Sequence, residues 1–254
     1  MKNRSKIALV TGGSRGLGKD MALQLAQKGI DVILTYKSSK EEVLQVVAQI
    51  EQSGRKAAAI QLDAGDVKSF DHFFHQLTGV LEKVFETSHF DYLINNAGIG
   101  RNAAIGEVTE EVFDELMNVH FKGVYFLTQK ALTLINDGGG IINVSSGLAR
   151  FSTPGYSAYA SMKGGIEVFT RYLAKELGPK GIRANVIAPG AIATDFGGGH
   201  VRDNEQINNY IGSVTALGRV GVAEDIGGVV AFLCTEDASW ITAQRIEISG
   251  GMNI

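Results

Sequence analysis

Eight residues near the amino terminus constrain this chain more than any other stretch. Thr11-Gly12-Gly13-Ser14-Arg15-Gly16-Leu17-Gly18 follows an apolar, β-prone run, Lys6–Thr11, and opens a helical pattern over Lys19–Lys28. Gly12 permits a sharp turn, Gly16 lets backbone approach a ligand, and Gly18 lets the helix pack close to the strand. A helix that starts after such a turn offers free N–H groups and a positive dipole end to an anion. Position gives the motif its meaning, because a lone glycine cluster also serves ordinary turns.

The rhythm continues along the chain. Further strands are predicted at Asp31–Tyr36, Ala57–Leu62, Phe90–Asn95, Gly140–Ser145, Ile182–Ala188 and Arg245–Ile248. Helices are predicted between them at Lys40–Ser53, Ser69–Glu86, Glu110–Asn136, Gly155–Leu177 and Ala223–Leu233. The strands are continuous Val/Ile/Leu/Ala runs, the pattern of strands buried on both faces. The expectation is one α/β domain over residues 1–254, doubly wound around a mostly or fully parallel seven-stranded sheet. Residues 195–216 break the rhythm with a polar stretch holding Gly197-Gly198-Gly199, and an insertion of that length is expected to be functional.

Charge and cysteine content exclude several classes. With 24 Lys+Arg against 27 Asp+Glu, the net charge is −3, so no basic excess is available to neutralise nucleic acid. One cysteine, Cys234, excludes an internal disulfide and a cysteine-rich zinc site. His72 and His75 have helical spacing but no further ligands placed by motif, so no metal is expected. Ile7–Val10 is short for a secretory core, and the apolar run near Gly227–Cys234 falls far below the roughly 20 residues of a membrane span. The expectation is a cytoplasmic protein without membrane or nucleic-acid partners.

Tyr159 and Lys163 stand four apart on a predicted helix and so share a face. A neighbouring ammonium favours a phenolate, and lowering a phenol by two pKa units requires only about 2.7 kcal/mol. A tyrosine tuned in this way exchanges a proton with an alcohol or carbonyl oxygen. Ser145 and Ser146 end the fifth predicted strand, at the carboxyl edge where open α/β sheets bind ligands. No Gly-x-Ser-x-Gly elbow surrounds them, so neither reads as a nucleophile.

The glycine turn, Asn95-Asn96-Ala97-Gly98, Ser145-Ser146, Tyr159-x-x-x-Lys163 and Pro189-Gly190 occur in one order and spacing. In these motifs the chain resembles the short-chain dehydrogenase/reductase family over nearly its whole length. The resemblance implies a Rossmann domain in which Ser146 orients the reacting oxygen, Tyr159 transfers the proton, and Lys163 tunes Tyr159 and holds the nicotinamide ribose. It also places a cofactor along Gly12, Ser14, Arg15, Gly16, Leu17 and Gly18, with Asp63 at the adenine and Asn95, Ala97 and Gly98 at the cofactor backbone. Pro189, Gly190, Ile192 and Thr194 resemble the segment that anchors the nicotinamide amide. Tyr36 stands where an acidic residue would select a free ribose 2′-OH, and Lys37, Ser38 and Arg15 suit a phosphate there, so NADP(H) is expected.

The family's helix asparagine is a departure, because the register puts His120 at its position rather than Asn118. Histidine donates, accepts and titrates near neutral pH, so a proton relay with altered pH dependence is the expectation and a packed helix histidine with no relay role the alternative. Tyr156 lacks a lysine partner and is assigned to packing or substrate lining. The nearest sub-type by resemblance is the 3-oxoacyl-(acyl carrier protein) reductase-like group. An acidic carrier protein would want a basic rim, which Arg101, Arg150 and Arg202 supply only if the fold gathers them. Residues 195–216 resemble the substrate lid, and a homotetramer or homodimer is implied, with Ser249 and Ala243 departing from frequent Asp and Gly.

The resulting expectation is an oxidoreductase that passes hydride between NADP(H) and a carbonyl or secondary alcohol, including 3-oxoacyl thioesters. The alternative is a non-catalytic NADP-binding sensor on the same fold. A nucleotide-sugar epimerase of the extended relatives would need a larger carboxyl-terminal domain than 254 residues allow.

Overall fold

In the computed structural model, residues 4–254 are described. The first half runs β1 (Ile7–Val10), α1 (Gly16–Gln27), β2 (Asp31–Tyr36), α2 (Lys40–Gln52), β3 (Ala57–Gln61), α3 (Phe70–Phe85) and β4 (Phe90–Asn95). Then come α4 (Glu110–Met117), α5 (Gly123–Ala131), β5 (Ile135–Val144), α6 (Ser157–Leu177) and β6 (Arg183–Pro189). The chain ends with α7 (His200–Asp203), α8 (Glu205–Ser213), α9 (Glu224–Leu233) and β7 (Arg245–Ile248). The strands form one sheet in the order β3-β2-β1-β4-β5-β6-β7, and every pairing is parallel. This is the expected doubly wound Rossmann sheet, fully parallel and seven-stranded.

Side-chain alternation explains why both faces are apolar. On β1, Ala8 and Val10 join a core with Met21, Leu25, Val43 and Val230, while Ile7 and Leu9 join one with Phe70, Leu77, Leu127 and Leu173. Helices therefore cover both faces, and the strand ends are left to meet a ligand. The strand order reverses between β1 and β4, so the two flanking crossovers leave in opposite directions and open a crevice at the carboxyl edge.

Three boundaries differ from expectation by more than two residues. Helix α1 begins at Gly16 rather than Lys19, inside the glycine turn itself. The long helix predicted over 110–136 divides into α4 and α5 around a π-helical turn, Asn118–Lys122. Close approach of another segment accompanies the turn, since a Cβ on Gly123 would lie 1.9 Å from the Ala64 carbonyl oxygen. Strand β5 starts at Ile135, because Ile135 pairs with Phe90 before a register shift brings Gly140 opposite Tyr92. The polar stretch 195–216 is folded as well. It holds a tight turn at Phe196–Gly199, with left-handed backbone at Gly197, Gly198 and Gly199, followed by α7 and α8.

Among the described residues, no helix is long and apolar enough to cross a membrane, and no three metal-ligating side chains cluster. Phe70 is fully buried between α3 and the sheet. Phe70→Ala is expected to cost about 3–5 kcal/mol through lost burial and a residual cavity, read as a lower urea midpoint with little change in slope.

Candidate active site

The crevice is built around Thr11. Its hydroxyl accepts the backbone N–H groups of Asn96 and Ala97, each at 3.0 Å, and so ties the glycine turn to the end of β4. Asn96 Nδ2 donates back to the Thr11 and Gly12 carbonyls at 2.9 and 3.2 Å. Gly12 has φ +67° and Gly16 φ +53°, the left-handed region that glycine tolerates at little cost. A Cβ on Gly18 would sit 2.1 Å from the Gly12 carbonyl oxygen, so only glycine lets α1 pack this closely. Arg15 precedes the helix in extended backbone without a side-chain cap, and the first turn carries no acid. The helix dipole is therefore uncompensated there, as suits a pyrophosphate. Across the crevice, a Cβ at Gly16 would approach Thr194 at 3.6 Å, so the glycine turn and the Thr194 segment face one another.

The adenosine end holds Tyr36, Lys37, Ser38 and Asp63. Lys37 Nζ pairs with Asp63 Oδ2 at 2.8 Å, with the lysine largely in solvent. An exposed pair of this kind is worth at most about 1 kcal/mol, so a phosphate dianion competes for Lys37 at small cost. At the opposite end the Ile192 backbone bridges Gly221, which steadies the segment carrying Thr194. Gly190 is needed elsewhere, since its added Cβ would lie 2.9 Å from Ser249 Cα.

Asn95 corrects one expectation. Its side chain is buried rather than offered to a cofactor, and its Nδ2 donates to Thr128 Oγ1 at 2.9 Å and to Asn143 Oδ1 at 2.8 Å. Asn143 in turn donates to Thr170 Oγ1 at 2.9 Å, which completes a polar ladder through β4, β5, α5 and α6. Asn96, not singled out from the sequence beyond its motif, does the work at the crevice. The ladder itself had no sequence signal, because its members are scattered over 76 positions from Asn95 to Thr170.

The candidate reacting groups meet where β5 ends and α6 begins. Tyr159 and Lys163 are both buried, on the same face of α6. Ser146 lies beside the Tyr159 phenol, and its Oγ accepts the Leu148 N–H at 3.2 Å. Lys163 Nζ donates to the Val144 carbonyl at 2.7 Å and lies 5.6 Å from the centre of the Tyr159 ring. Burial lowers the Lys163 ammonium to about 7. Burial also raises the Tyr159 phenol above its ordinary value, the neighbouring Ser146 hydroxyl opposing only part of that. This reverses the expected direction for Tyr159. Desolvation disfavours the phenolate, and a lysine that titrates near 7 is only partly charged to offset it.

His120 lies in the π-helical turn and is buried, with its ring edge-to-face on Tyr159 at 5.0 Å. Its Nε2 is 2.8 Å from the Ile99 carbonyl, a pure acceptor, so Nε2 carries the proton and the Ile99 N–H at 3.2 Å is the weaker contact. Nδ1 is then a bare acceptor, buried with no partner among the described residues. Burial, followed by the nearby Lys163 charge, pushes the imidazole down to about 3. The expected titration near neutral pH is therefore corrected: desolvation keeps His120 neutral. The Gly98 backbone presses on this ring, a Cβ there meeting Cε1 at 2.8 Å.

The three arginines of the imagined basic rim are each matched by acids. Arg101 forks Glu115, Arg150 forks Glu247, and Arg202 holds Asp195 and Asp203. Tyr156 immediately precedes α6 without a side-chain capping bond, and Phe196 faces Tyr159 with ring centres 6.1 Å apart. Phe196 had no motif to mark it.

Because the unfolded chain binds a proton at His120 near pH 6.5 and the folded chain binds it only near 3, His120 contributes stability above 6.5 that is lost as pH falls toward 3. His120→Asn keeps an amide donor for Ile99 but cannot titrate. Urea unfolding across this window is expected to show a shallower pH slope for the variant, and equal slopes would mean that His120 is charged or solvated in the fold.

Comparison with known proteins agrees with this geometry. A family profile described as enoyl-(acyl carrier protein) reductase matches residues 12–253. The structure of the reductase LugOII, described as catalysing keto-reduction at C1 in lugdunomycin biosynthesis, superposes with TM-score 0.93 at 36% identity, covering 100% of both chains. The landomycin C-6 ketoreductase LanV, solved with bound NADP and rabelomycin, gives TM-score 0.89 at 36% identity over 99% of both chains. Tetrahydroxynaphthalene reductase of Pyricularia oryzae is 34% identical over 97% of this chain and 89% of its own length. On the full-length match, the shared parallel sheet and the shared sequence, this chain belongs to the short-chain dehydrogenase/reductase family of oxidoreductases.

Proposed function

We propose that this protein is an NADPH-dependent ketoreductase acting on a small, flat, fused-ring ketone, with Ser146, Tyr159 and Lys163 as its catalytic residues. The observation that carries the reading is the burial of Tyr159 and Lys163 on one face of α6, 5.6 Å from ammonium to ring centre, with Ser146 beside the Tyr159 phenol. NADP fits the glycine turn, the uncapped start of α1, and the Arg15, Lys37 and Ser38 side chains, and related ketoreductases bind it. When bound, the cofactor supplies the hydride.

Ser146 donates a hydrogen bond to the substrate carbonyl oxygen, which can only accept, and keeps its proton while its own oxygen accepts the Leu148 N–H. Tyr159 then gives its phenolic proton to that oxygen as negative charge develops, so that carbonyl, hydride and proton together yield an alcohol. A phenol kept protonated by burial suits donation, which favours reduction as the working direction. Lys163 holds the β5 end and re-protonates Tyr159. His120 occupies the relay position as a neutral acceptor through Nδ1, without titrating itself.

Residues 195–216 form the substrate lid, and Phe196 supplies an aromatic wall opposite Tyr159. A free ring ketone is favoured over an acyl chain on an acidic carrier protein, because Arg101, Arg150 and Arg202 are already neutralised. The names of the naphthalene and polyketide reductases above support the same substrate class. Exposed Phe113, Tyr125, Val168 and Tyr172 on α4, α5 and α6 support a homotetramer or homodimer.

The test is a panel of α-tetralone, an open-chain ketone and acetoacetyl-N-acetylcysteamine, run with NADPH and NADH in parallel. NADPH and α-tetralone are expected to give the highest kcat/KM. Tyr159→Phe is expected to lower kcat by about 10²–10⁴-fold. Lys37→Ala is expected to raise KM for NADPH about tenfold and leave KM for NADH unchanged. NADPH binding with no turnover of any ketone would instead favour the sensor, and preference for the thioester would overturn the substrate class.

A further inference from the structure

Three successive residues at the end of β5 are each held by a different charged side chain. Lys163 donates to the Val144 carbonyl, Ser145 Oγ donates to Glu167 Oε1 at 2.8 Å, and Arg245 Nη2 donates to the Ser146 carbonyl at 3.3 Å. Lys163 and Glu167 are one turn apart on α6, while Arg245 opens β7 on the other side of β6. Arg245 Nε also donates to Glu167 Oε1 at 2.7 Å, and its Nη1 to Glu247 Oε2 at 2.8 Å. Arg150 then forks both oxygens of Glu247 at 2.7 Å and donates to the Met252 carbonyl at 2.8 Å. The result is a continuous chain of charge from Ser145 through Glu167, Arg245 and Glu247 to Arg150, which ends on the turn that follows Ser146.

The members are mostly shielded from water, with side-chain exposures of 14% for Glu167, 23% for Arg245 and 20% for Glu247. The Arg150 fork holds the Glu247 carboxyl down at about 2, so that carboxylate stays charged at ordinary pH. Arg245 meets Glu167, Glu247 and the Ser146 carbonyl with one planar group, a fixed fork that a lysine ammonium does not reproduce. If these groups served stability alone, there would be no need for the acceptors and donors to fall on consecutive residues leading to Ser146. Placement matters there, because a displacement of about 1 Å in a reacting group costs on the order of a hundredfold in rate.

We propose that Glu167 and Arg245 are positioning residues that set Ser146 against Tyr159, by holding the Ser145 hydroxyl and the Ser146 carbonyl from the β7 side. Neither touches substrate or the reacting oxygen. The proposal rests on the catalytic reading of Ser146 and Tyr159 given above.

The test is a double-mutant cycle on the full chain, with kcat and KM for the ketone, Kd for NADPH and the melting temperature measured for each variant. Arg245→Lys and Glu167→Gln are each expected to lower kcat about tenfold while Kd for NADPH stays within about twofold. In a Ser146→Ala background, Arg245→Lys is expected to change kcat by less than about twofold, because the residue through which it acts is gone. Lys130→Ala, which breaks the exposed pair with Asp71, is the control and is expected to leave kcat unchanged. An equal loss from Arg245→Lys in both backgrounds, or a lowered melting temperature with kcat intact, would overturn the proposal. If Arg245→Lys does not fold, the same cycle is run with Glu167→Gln, which is close to isosteric. Ser146→Ala alone with unchanged kcat would overturn the catalytic reading and this proposal with it, and that failure shows in the single variant.

Discussion

A parallel sheet covered by helices on both faces has nowhere but its edges to put chemistry. Both faces of β1 are apolar, Ala8 and Val10 on one side and Ile7 and Leu9 on the other. Polar side chains that must meet a ligand are therefore pushed to the strand ends, and the reversal of order between β1 and β4 opens the carboxyl edge into a crevice. Thr11, Asn96, His120, Ser146 and Lys163 come from five different segments of the chain and meet there for this one reason.

Burial at that edge also sets protonation. Lys163, Tyr159 and His120 are all withdrawn from water, and each is driven toward its neutral form. A neutral phenol is a proton donor, a lysine near 7 readily takes up or releases a proton, and a neutral imidazole is a fixed hydrogen-bonding group. Full charges are placed one layer out, where Glu167, Arg245, Glu247 and Arg150 compensate each other. Beneath the site, the Asn95, Asn143, Thr128 and Thr170 ladder joins buried polar side chains without introducing charge, leaving Asn95 Oδ1 without a partner among the described residues. The neutral interior and charged periphery follow from the same cost of desolvation.

Much of the fold was legible because its signals are local. Strand runs such as Asp31–Tyr36 and Phe90–Asn95 emerged with the boundaries read from the sequence. The glycine turn was legible because Gly12 and Gly16 need left-handed backbone and Gly18 leaves no room for a side chain. The π-helical turn at Asn118–Lys122 was not legible, since apolar spacing runs on through it and the crowding group is the distant Ala64 carbonyl. Asn95 was read as facing a cofactor and instead faces Thr128 and Asn143, partners that no spacing rule connects to it. The arginines could not be weighed as a rim until Glu115, Glu247 and Asp195 were seen beside them.

The sequence by itself determined the parallel sheet and the glycine turn, because periodicity and glycine sterics act over a few residues, and its resemblance to a known family pointed to Ser146, Tyr159 and Lys163. Only the tertiary structure decided which of those groups carry charge, which way Asn95 turns, and what braces the β5 end. Desolvation and Coulomb interaction depend on distance in space, and Arg245 reaches Ser146 across 99 positions of chain.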